Sequence, residues 1–315
     1  MTALARRPLG SSGIEVSELS LGSWRTYERI PRETGIAVMR TARDVGINFL
    51  DDARYNDESG TAPMKTGYSE VVFGELFRAS GWQRDEVVVA NKLWWEFWPD
   101  ENAQVELEGS LKRMGLDYLD LVYAERPREG QRVDQMVDDI GALIAAGKLR
   151  AWGVLNWQAG QILEAARAAA AQGVPTPCAA QLAYSLVQRS PVEDQGMIDA
   201  LRAAGSSVVA SYPLAGGALT GKYFTPGTKG RMTEGLDNRD YGPALRAGDE
   251  LRGLAERSGA RPAAMAIAFA LLNPLVASVL FGATNPDQIT ENLRAAVLQS
   301  TMDARAIADL RRIGA

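Results

Sequence analysis

Residues 86–127 read EVVVANKLWWEFWPDENAQVELEGSLKRMGLDYLDLVYAERP. The stretch opens on a short apolar run, EVVVANK, and continues through a segment of helical period, ENAQVELEGSLKRMG. It then returns to a second apolar run, YLDLVYA. Runs this short that are apolar on both faces belong to strands covered on both sides, and strands joined through a helix lie parallel. Each run ends in a charge, Lys92 for the first and Glu125 for the second. The unit recurs in both directions. Upstream stand SELSLGSW with RETGIAVMRTARDVG, then INFLD with SEVVFGELFRA, whose Val72, Phe73, Leu76 and Phe77 share one face. Downstream follow RAWGVLN, CAAQLAY, SSVVASYP and VASVLFG, each with its own helical segment. Eight such units without a break in composition predict an α/β fold, a closed (β/α)8 TIM barrel, as a single domain over residues 1–315. The opening RRPLGSSGIEVS predicts an N-terminal β-hairpin that turns at Gly13 and caps the barrel bottom. A doubly wound open sheet would require a glycine fingerprint after its first strand, and LGSW is not one.

Composition narrows the chemistry. With 46% hydrophobic and 23% charged residues the chain has the profile of a globular protein. A net charge of −5 gives no reason to expect nucleic acid or an anionic membrane as partner. No apolar run approaches the roughly 20 residues of a spanning helix. The opening MTALARRPLGSSG lacks the apolar core of a signal peptide, and Cys178 is the single cysteine, so a reducing, cytoplasmic location is expected. There is no histidine, which rules out Ser-His-Asp and Cys-His catalysis. A zinc ion would be left with carboxylates and one thiol, so no metal is expected. Acid–base work falls to Asp, Glu, Lys or Tyr.

Polar residues end several of the strands: Asp51 in INFLD, Lys92 in VVVANK, Glu125 in DLVYAE and Asn156 in GVLN, with Gln181 inside AAQLAY. A barrel gathers such ends on one rim. Taken singly, Asp51 can cap a helix, Lys92 can snorkel and Glu125 can be a solvated loop acid; their shared position argues for a site. A carboxylate beside a lysine beside a tyrosine has its own logic. The ammonium favours phenolate and brings a phenol of pKa roughly 10 toward neutral titration, while the carboxylate orients the lysine. GGALTGKY has the spacing of a phosphate-binding loop, but Tyr223 stands where a small hydroxyl residue would hold magnesium, so nucleotide hydrolysis is not expected. Its glycines still expose backbone N–H groups suited to a diphosphate. The long irregular stretches 54–68 and 223–243 follow strand ends, where active-site loops belong. Trp24, Trp94, Trp95 and Trp98 lie near the ends of the first and third barrel strands, either as a wall for an apolar or ring-shaped substrate or as loop packing.

Along nearly its whole length the chain resembles the aldo-keto reductases. RRPLGSSGIEVSELSLGSW is similar to the family's opening, GINFLDDARY to G-x-N-x-F-D-T-A-x-x-Y, and VVVANK to V-x-x-x-T-K. MGLDYLDLVYAERP, GKLRAWGVLNW, AAQLAYSLVQR and PLAGGALTGKY follow the family's order and spacing. The resemblance implies a barrel that binds NADPH, with NADH as the alternative, and passes hydride to a carbonyl or enone substrate. By position it makes Asp51 the orienting carboxylate, Tyr55 the proton donor and Lys92 the lysine beside it. It gives Asn156 and Gln181 the nicotinamide carboxamide, and Leu214, Gly216 and Lys222 the diphosphate. The segment GATNPDQITEN, with Gly282, Thr284, Gln288, Glu291 and Asn292, takes the adenosine end. Asn285 and Pro286 read independently as an N-cap and first helical position, and a helix N-terminus suits a phosphate.

Five departures follow from the same comparison. Tyr55 lies one residue nearer Asp51 than the family spacing, with Tyr68 as the reserve proton donor. Leu155 replaces the serine of G-V-S-N. Ser211 takes the place of an aromatic that stacks on nicotinamide, with Tyr212 beside it, so either the strand end is irregular or the stacking is lost. Gln288 stands where NADP-preferring members carry arginine, leaving Thr284, Lys229 and Arg231 for a 2′-phosphate. Glu125 occupies the place of the family's histidine. A neutral glutamic acid can donate to a carbonyl oxygen as an ionised one cannot, and burial favours the neutral form. The same exchange marks the family's steroid 5β-reductases, which implies reduction of a conjugated C=C bond; ordinary carbonyl reduction is the other reading. The family's potassium-channel β subunits also lack the histidine, so a cofactor-binding regulatory subunit stays open.

Overall fold

The computed structural model describes residues 4–58, 60–224, 227–228, 230 and 241–314. Two short strands, β1 (Arg6–Pro8) and β2 (Glu15–Ser17), pair antiparallel as the hairpin expected at the N-terminus, with Gly13 at φ 73° in its turn. The apolar runs form β3 (Leu19–Gly22), β4 (Phe49–Asp51), β5 (Val88–Leu93), β6 (Leu119–Ala124), β7 (Leu149–Leu155), β8 (Ala179–Ala183), β9 (Ser207–Ser211) and β10 (Val276–Phe281). These eight pair in parallel and close into a barrel, β10 against β3. The architecture is a (β/α)8 TIM barrel.

Around it run α1 (Arg32–Asp44), α2 (Tyr68–Ser80), α3 (Ala103–Met114), α4 (Val133–Ala145), α5 (Ala159–Gln172), α6 (Ser190–Glu193), α7 (Gln195–Ala204), α8 (Gly242–Arg257), α9 (Pro262–Leu271), α10 (Pro286–Thr301) and α11 (Ala304–Arg312). The short α6, together with α8 and α11, extends the helix set read from the sequence. α8 buries a stripe of small residues, Ala244, Ala247, Gly248 and Ala255, around Leu251, and α11 buries only Leu310. Stripes that small or that sparse give a weak helical period.

Alternation along the strands sorts side chains into two cores. Val89, Leu93, Val122, Val154, Leu182 and Val208 face the helices. Phe49, Val88, Ala90, Leu121, Tyr123, Ala151, Leu155, Ala179 and Val209 fill the barrel. Stepping by two from these interior residues toward the strand C-termini leads to Asp51, Lys92, Glu125, Gln181 and Ser211, each of which lines one cavity at that end. The strand that ends in Glu125 therefore continues an interior column, Leu121–Tyr123–Glu125. Apolar layers below and polar groups on top are what a barrel with its site at the C-terminal face requires.

The other end is sealed by the hairpin. Leu9, Ile14 and Val16 enter the interior core, and the Gly10 amide donates to Ser207 Oγ at 2.9 Å. Gly10 has φ 53°, and a Cβ there would lie 2.1 Å from the Cys178 carbonyl oxygen and 2.4 Å from that of Gly205. Gly13 shares the left-handed backbone but has nothing within 4 Å. Gly10→Ala is expected to cost about 1–3 kcal/mol more than Gly13→Ala in urea unfolding, because only the former forces an overlap; equal losses would mean that backbone conformation alone requires glycine.

Candidate active site

The cavity at the strand C-termini has a volume of about 640 Å³, within the usual range for cofactor-sized sites. At its floor Lys92 Nζ lies 2.6 Å from Asp51 Oδ1 and donates to the Asp52 carbonyl oxygen at 3.1 Å. Gln181 Nε2 donates to the second Asp51 oxygen at 2.9 Å. Lys92 is 4% exposed and Asp51 1% exposed, so the pair is withdrawn from water and each partner is hydrogen-bonded. The Lys92 ammonium sits between two phenol rings, 5.8 Å from the centroid of Tyr55 above and 5.8 Å from that of Tyr123 below.

Tyr55 reaches this position on a loop one residue shorter than the family spacing. The loop folds back onto the start of α2: Gly67 N donates to the Tyr55 carbonyl at 2.9 Å, and Ser69 Oγ donates to the Ala53 carbonyl at 2.6 Å. An isolated bridge between Asn56 and Thr66 closes it. Tyr55 packs on Trp94 with ring centroids 6.2 Å apart. Tyr68, the reserve candidate, accepts from Arg32 at 2.9 Å at the start of α2 and lines neither cavity described here.

Trp24, Trp94, Glu125, Leu155 and Asn156 line the same cavity. Glu125 is half-buried, and one of its carboxylate oxygens accepts from the Arg126 amide at 3.1 Å. Ser211 and Tyr212 both line the cavity because the strand end is irregular: Tyr212 has φ 58°, which breaks the alternation and turns two adjacent side chains the same way. Its hydroxyl lies 2.9 Å from that of Tyr241. Trp95 is not in this cavity. With Trp98 it lines a neighbouring one of about 740 Å³ that shares Trp24, Tyr55 and Trp94.

Leu214, Gly216, Lys222, Gly282, Thr284, Gln288, Glu291 and Asn292 extend the 640 Å³ cavity from the floor to the start of α10. Gly216 and Gly217 have φ of 68° and 93°, and a Cβ on Gly216 would lie 2.8 Å from the Tyr212 hydroxyl, so both positions call for glycine. A Cβ at Gly282 would come within 3.0 Å of Thr26 Oγ1. Asn285 caps α10 by accepting from Gln288 N at 3.1 Å, with Pro286 in the first helical position as the sequence predicts. Gln288 Oε1 accepts from Thr284 N at 2.7 Å. Lys229 and Arg231 lie outside the described residues. An elongated cavity with bare glycine backbone in the middle and a capped helix N-terminus at one end fits a dinucleotide. Among the described residues no group of His, Cys, Asp or Glu is arranged to hold a metal.

Two features escaped the sequence reading. Arg54 pairs with Glu106 at 3.2 Å and Glu96 at 3.3 Å, while Glu106 accepts from Trp94 N at 2.8 Å and Trp95 N at 3.0 Å. This buried pair fixes the indole-bearing loop; burial raises the Glu106 carboxyl against the donors that lower it. The second is Asp52, fully buried, whose Oδ1 accepts a short hydrogen bond from Ser23 Oγ. Burial and the nearby Glu70 push Asp52 well above the usual carboxylate range, against Ser23 and Lys92. Its signal was visible: the second Asp of FLDDAR stands where the family pattern has threonine.

Comparison with known proteins gives a family match and two plant relatives. The Aldo/keto reductase family model matches residues 18–314. The chain is 33% identical over 306 residues to a probable voltage-gated potassium channel subunit beta of Oryza sativa subsp. japonica, covering 91% of this chain and 89% of that protein. It is 32% identical over 307 residues to a probable voltage-gated potassium channel subunit beta of Arabidopsis thaliana, with the same coverage.

The Lys92–Asp51 pair sets an expectation for stability. Lys92→Met leaves a buried carboxylate without its cation and is expected to cost about 3–5 kcal/mol, as is Asp51→Leu for the converse reason. The double variant is expected to recover a large part of that loss in urea unfolding, and strictly additive losses would mean that the two groups do not compensate each other.

Proposed function

The chain belongs to the aldo/keto reductase family, and on that premise we propose that it is an NADPH-dependent oxidoreductase that reduces a carbonyl or a carbonyl-conjugated C=C bond. The observation that carries this reading is the Lys92 ammonium, held 2.6 Å from Asp51 and 5.8 Å from the Tyr55 ring on the wall of one cavity. A reduced nicotinamide dinucleotide, when bound, supplies the hydride. Leu214, Gly216 and Lys222 would hold its diphosphate, and Gly282, Thr284, Gln288, Glu291 and Asn292 its adenosine. Asn156 and Gln181 would hold its carboxamide. Because Gln181 gives Nε2 to Asp51, its Oε1 is the atom left to accept an amide N–H.

Tyr55 gives its proton to the reduced substrate. The ammonium beside it favours the phenolate left behind, and Asp51 keeps that ammonium charged and pointed. Ser211 and Tyr212 supply the wall beside the carboxamide pair. Glu125 caps the β6 column and lines the same cavity as Tyr55, and its protonated form can donate to a substrate carbonyl oxygen, the part a histidine plays elsewhere in the family. A donor that also withdraws charge through an enone favours hydride attack at its distal carbon. Trp24 and Trp94 furnish apolar surface for the substrate body, while Trp95, buried beside them, lines only the neighbouring cavity.

A second reading has its own support, the printed names of the two plant relatives: a dinucleotide-binding subunit with little turnover, of the potassium-channel β-subunit kind. No helix among the described residues is long and apolar enough to cross a membrane. Purified protein given NADPH or NADH, an enone and the matching saturated ketone separates the readings by product identification. Turnover is expected with NADPH, and Tyr55→Phe is expected to lower it by about 10²–10⁴-fold with dinucleotide binding retained. Saturated ketone as product supports C=C reduction and alcohol supports C=O reduction. Tight dinucleotide binding with no turnover overturns the reductase reading in favour of the subunit.

A further inference from the structure

Asp52 lies directly behind the Lys92–Asp51 pair and is closed off from solvent. Its Oδ1 accepts from Ser23 Oγ, while Oδ2 has no hydrogen-bond partner. The groups facing it come from each surrounding element: Lys92 on β5, Glu70 on α2, and Tyr27 in the turn after β3, whose buried hydroxyl also has no partner. The cations nearby are already matched by other carboxylates. Lys92 lies 2.6 Å from Asp51, and Arg113 Nε lies 2.5 Å from Glu70, which also accepts from Asn91 at 2.9 Å. An ionised carboxylate is acceptor-only on both oxygens, and here Ser23 is the side-chain donor. Ser23, the Ala53 backbone amide and the Lys92 charge favour the ionised form but are outweighed by burial and Glu70. A proton on the other oxygen removes a buried charge that the nearby cations do not match.

We propose that Asp52 is a positioning residue that works as a neutral carboxylic acid, joining the ends of β3 and β4 through Ser23 and leaving Lys92 matched to one carboxylate only. The link lies where β3 turns into Trp24 and the left-handed Arg25, both of which line the cavity. The consequence for Tyr55 rests on the reductase reading. One anion against one ammonium leaves the positive charge felt by the phenol, whereas a second ionised carboxylate would oppose loss of the phenolic proton. Burial, reinforced by Glu70, raises the affinity of Asp52 for its proton in the folded chain. By linkage, its contribution to stability is fully present below the unfolded aspartate value, about 3.9, and is lost as pH rises through the folded value.

Three measurements on the full chain test this, and none needs turnover. Infrared spectra at neutral pH are expected to contain the carbonyl stretch of a protonated carboxylic acid that disappears in Asp52→Asn. Thermal melting of Asp52→Asn is expected to gain on the wild type as pH rises, because the amide has no proton to lose. Titration of Tyr55 by tyrosinate absorbance, with Tyr55→Phe as blank, is expected to shift to lower pH on the alkaline side in Asp52→Asn, a change that a purely structural tie would not produce. Absence of the acid band in the wild type overturns the proposal, even if the Asn variant fails to fold. So does a melting deficit of Asp52→Asn that widens once pH passes the ordinary carboxylate range, which would mean an ionised Asp52. A wild type that shows the band but never turns over sinks the reductase reading and leaves Asp52 as a neutral acid.

Discussion

A lysine ammonium buried at the top of a barrel is the constraint on which the site depends. Lys92 has lost nearly all its water, so its charge must be met by the protein, and Asp51 at 2.6 Å with the Asp52 carbonyl at 3.1 Å does so. Asp51 is in turn fixed by Gln181. These contacts link β4, β5 and β8 across the barrel mouth and leave little freedom for any of the side chains. The period of two along each strand then decides everything else at that level: whatever stands two residues above an interior Val88–Ala90 or Leu121–Tyr123 layer must enter the same space.

Above that floor the chain turns in strained ways. Arg25, Trp95, Asn156, Tyr212 and Ala215 all have left-handed φ between 46° and 58°, and all follow the C-terminal ends of barrel strands. Non-glycine residues in this region cost conformational energy and persist only where their surroundings hold them. The surroundings here are specific. Glu106 ties down the amides of Trp94 and Trp95, Arg126 Nε donates to the Asn156 carbonyl at 2.6 Å, and the Tyr212 hydroxyl meets Tyr241. Among the described residues the left-handed non-glycine positions cluster at this face of the barrel, the face that carries the candidate site.

Much of this was legible in the sequence because strand periodicity and charge at strand ends are local signals. The eightfold unit, the hairpin at Gly13 and the N-cap at Asn285 needed no tertiary knowledge. The cavity that gathers Asp51, Lys92, Glu125 and Gln181 followed from strand order once the barrel was closed, while Tyr55, on a loop, came only from the family resemblance. What stayed hidden depends on long-range packing. The Glu106 carboxylate belongs to α3 yet serves the loop after β5, and nothing in QVELEG announces that. Tyr212 could be placed only when its left-handed turn was seen, since alternation argues for the opposite face. Trp95 read as one wall with Trp94, but adjacent residues diverge, and its indole lines the neighbouring cavity instead. α8 was obscured by a buried stripe made mostly of alanine and glycine.

The buried charges also bear on why a barrel of this kind keeps its chemistry. Replacing a buried ion pair by apolar residues of similar volume is often neutral or stabilising, so the pair contributes little that leucine and methionine could not. A barrel whose only task was to hold a dinucleotide would need the glycine backbone, the capped helix and the carboxamide partners. It would gain nothing from an ammonium poised under a phenol. That arrangement has value where a proton must leave Tyr55 as charge develops on a substrate oxygen, because a fixed cation in a dry site stabilises that charge without reorganising. Lys92, Asp51 and the extra acid at Asp52 together place costly buried charge and polarity at one point in the fold, and under the proposed reductase reading proton transfer is the process that such a concession serves.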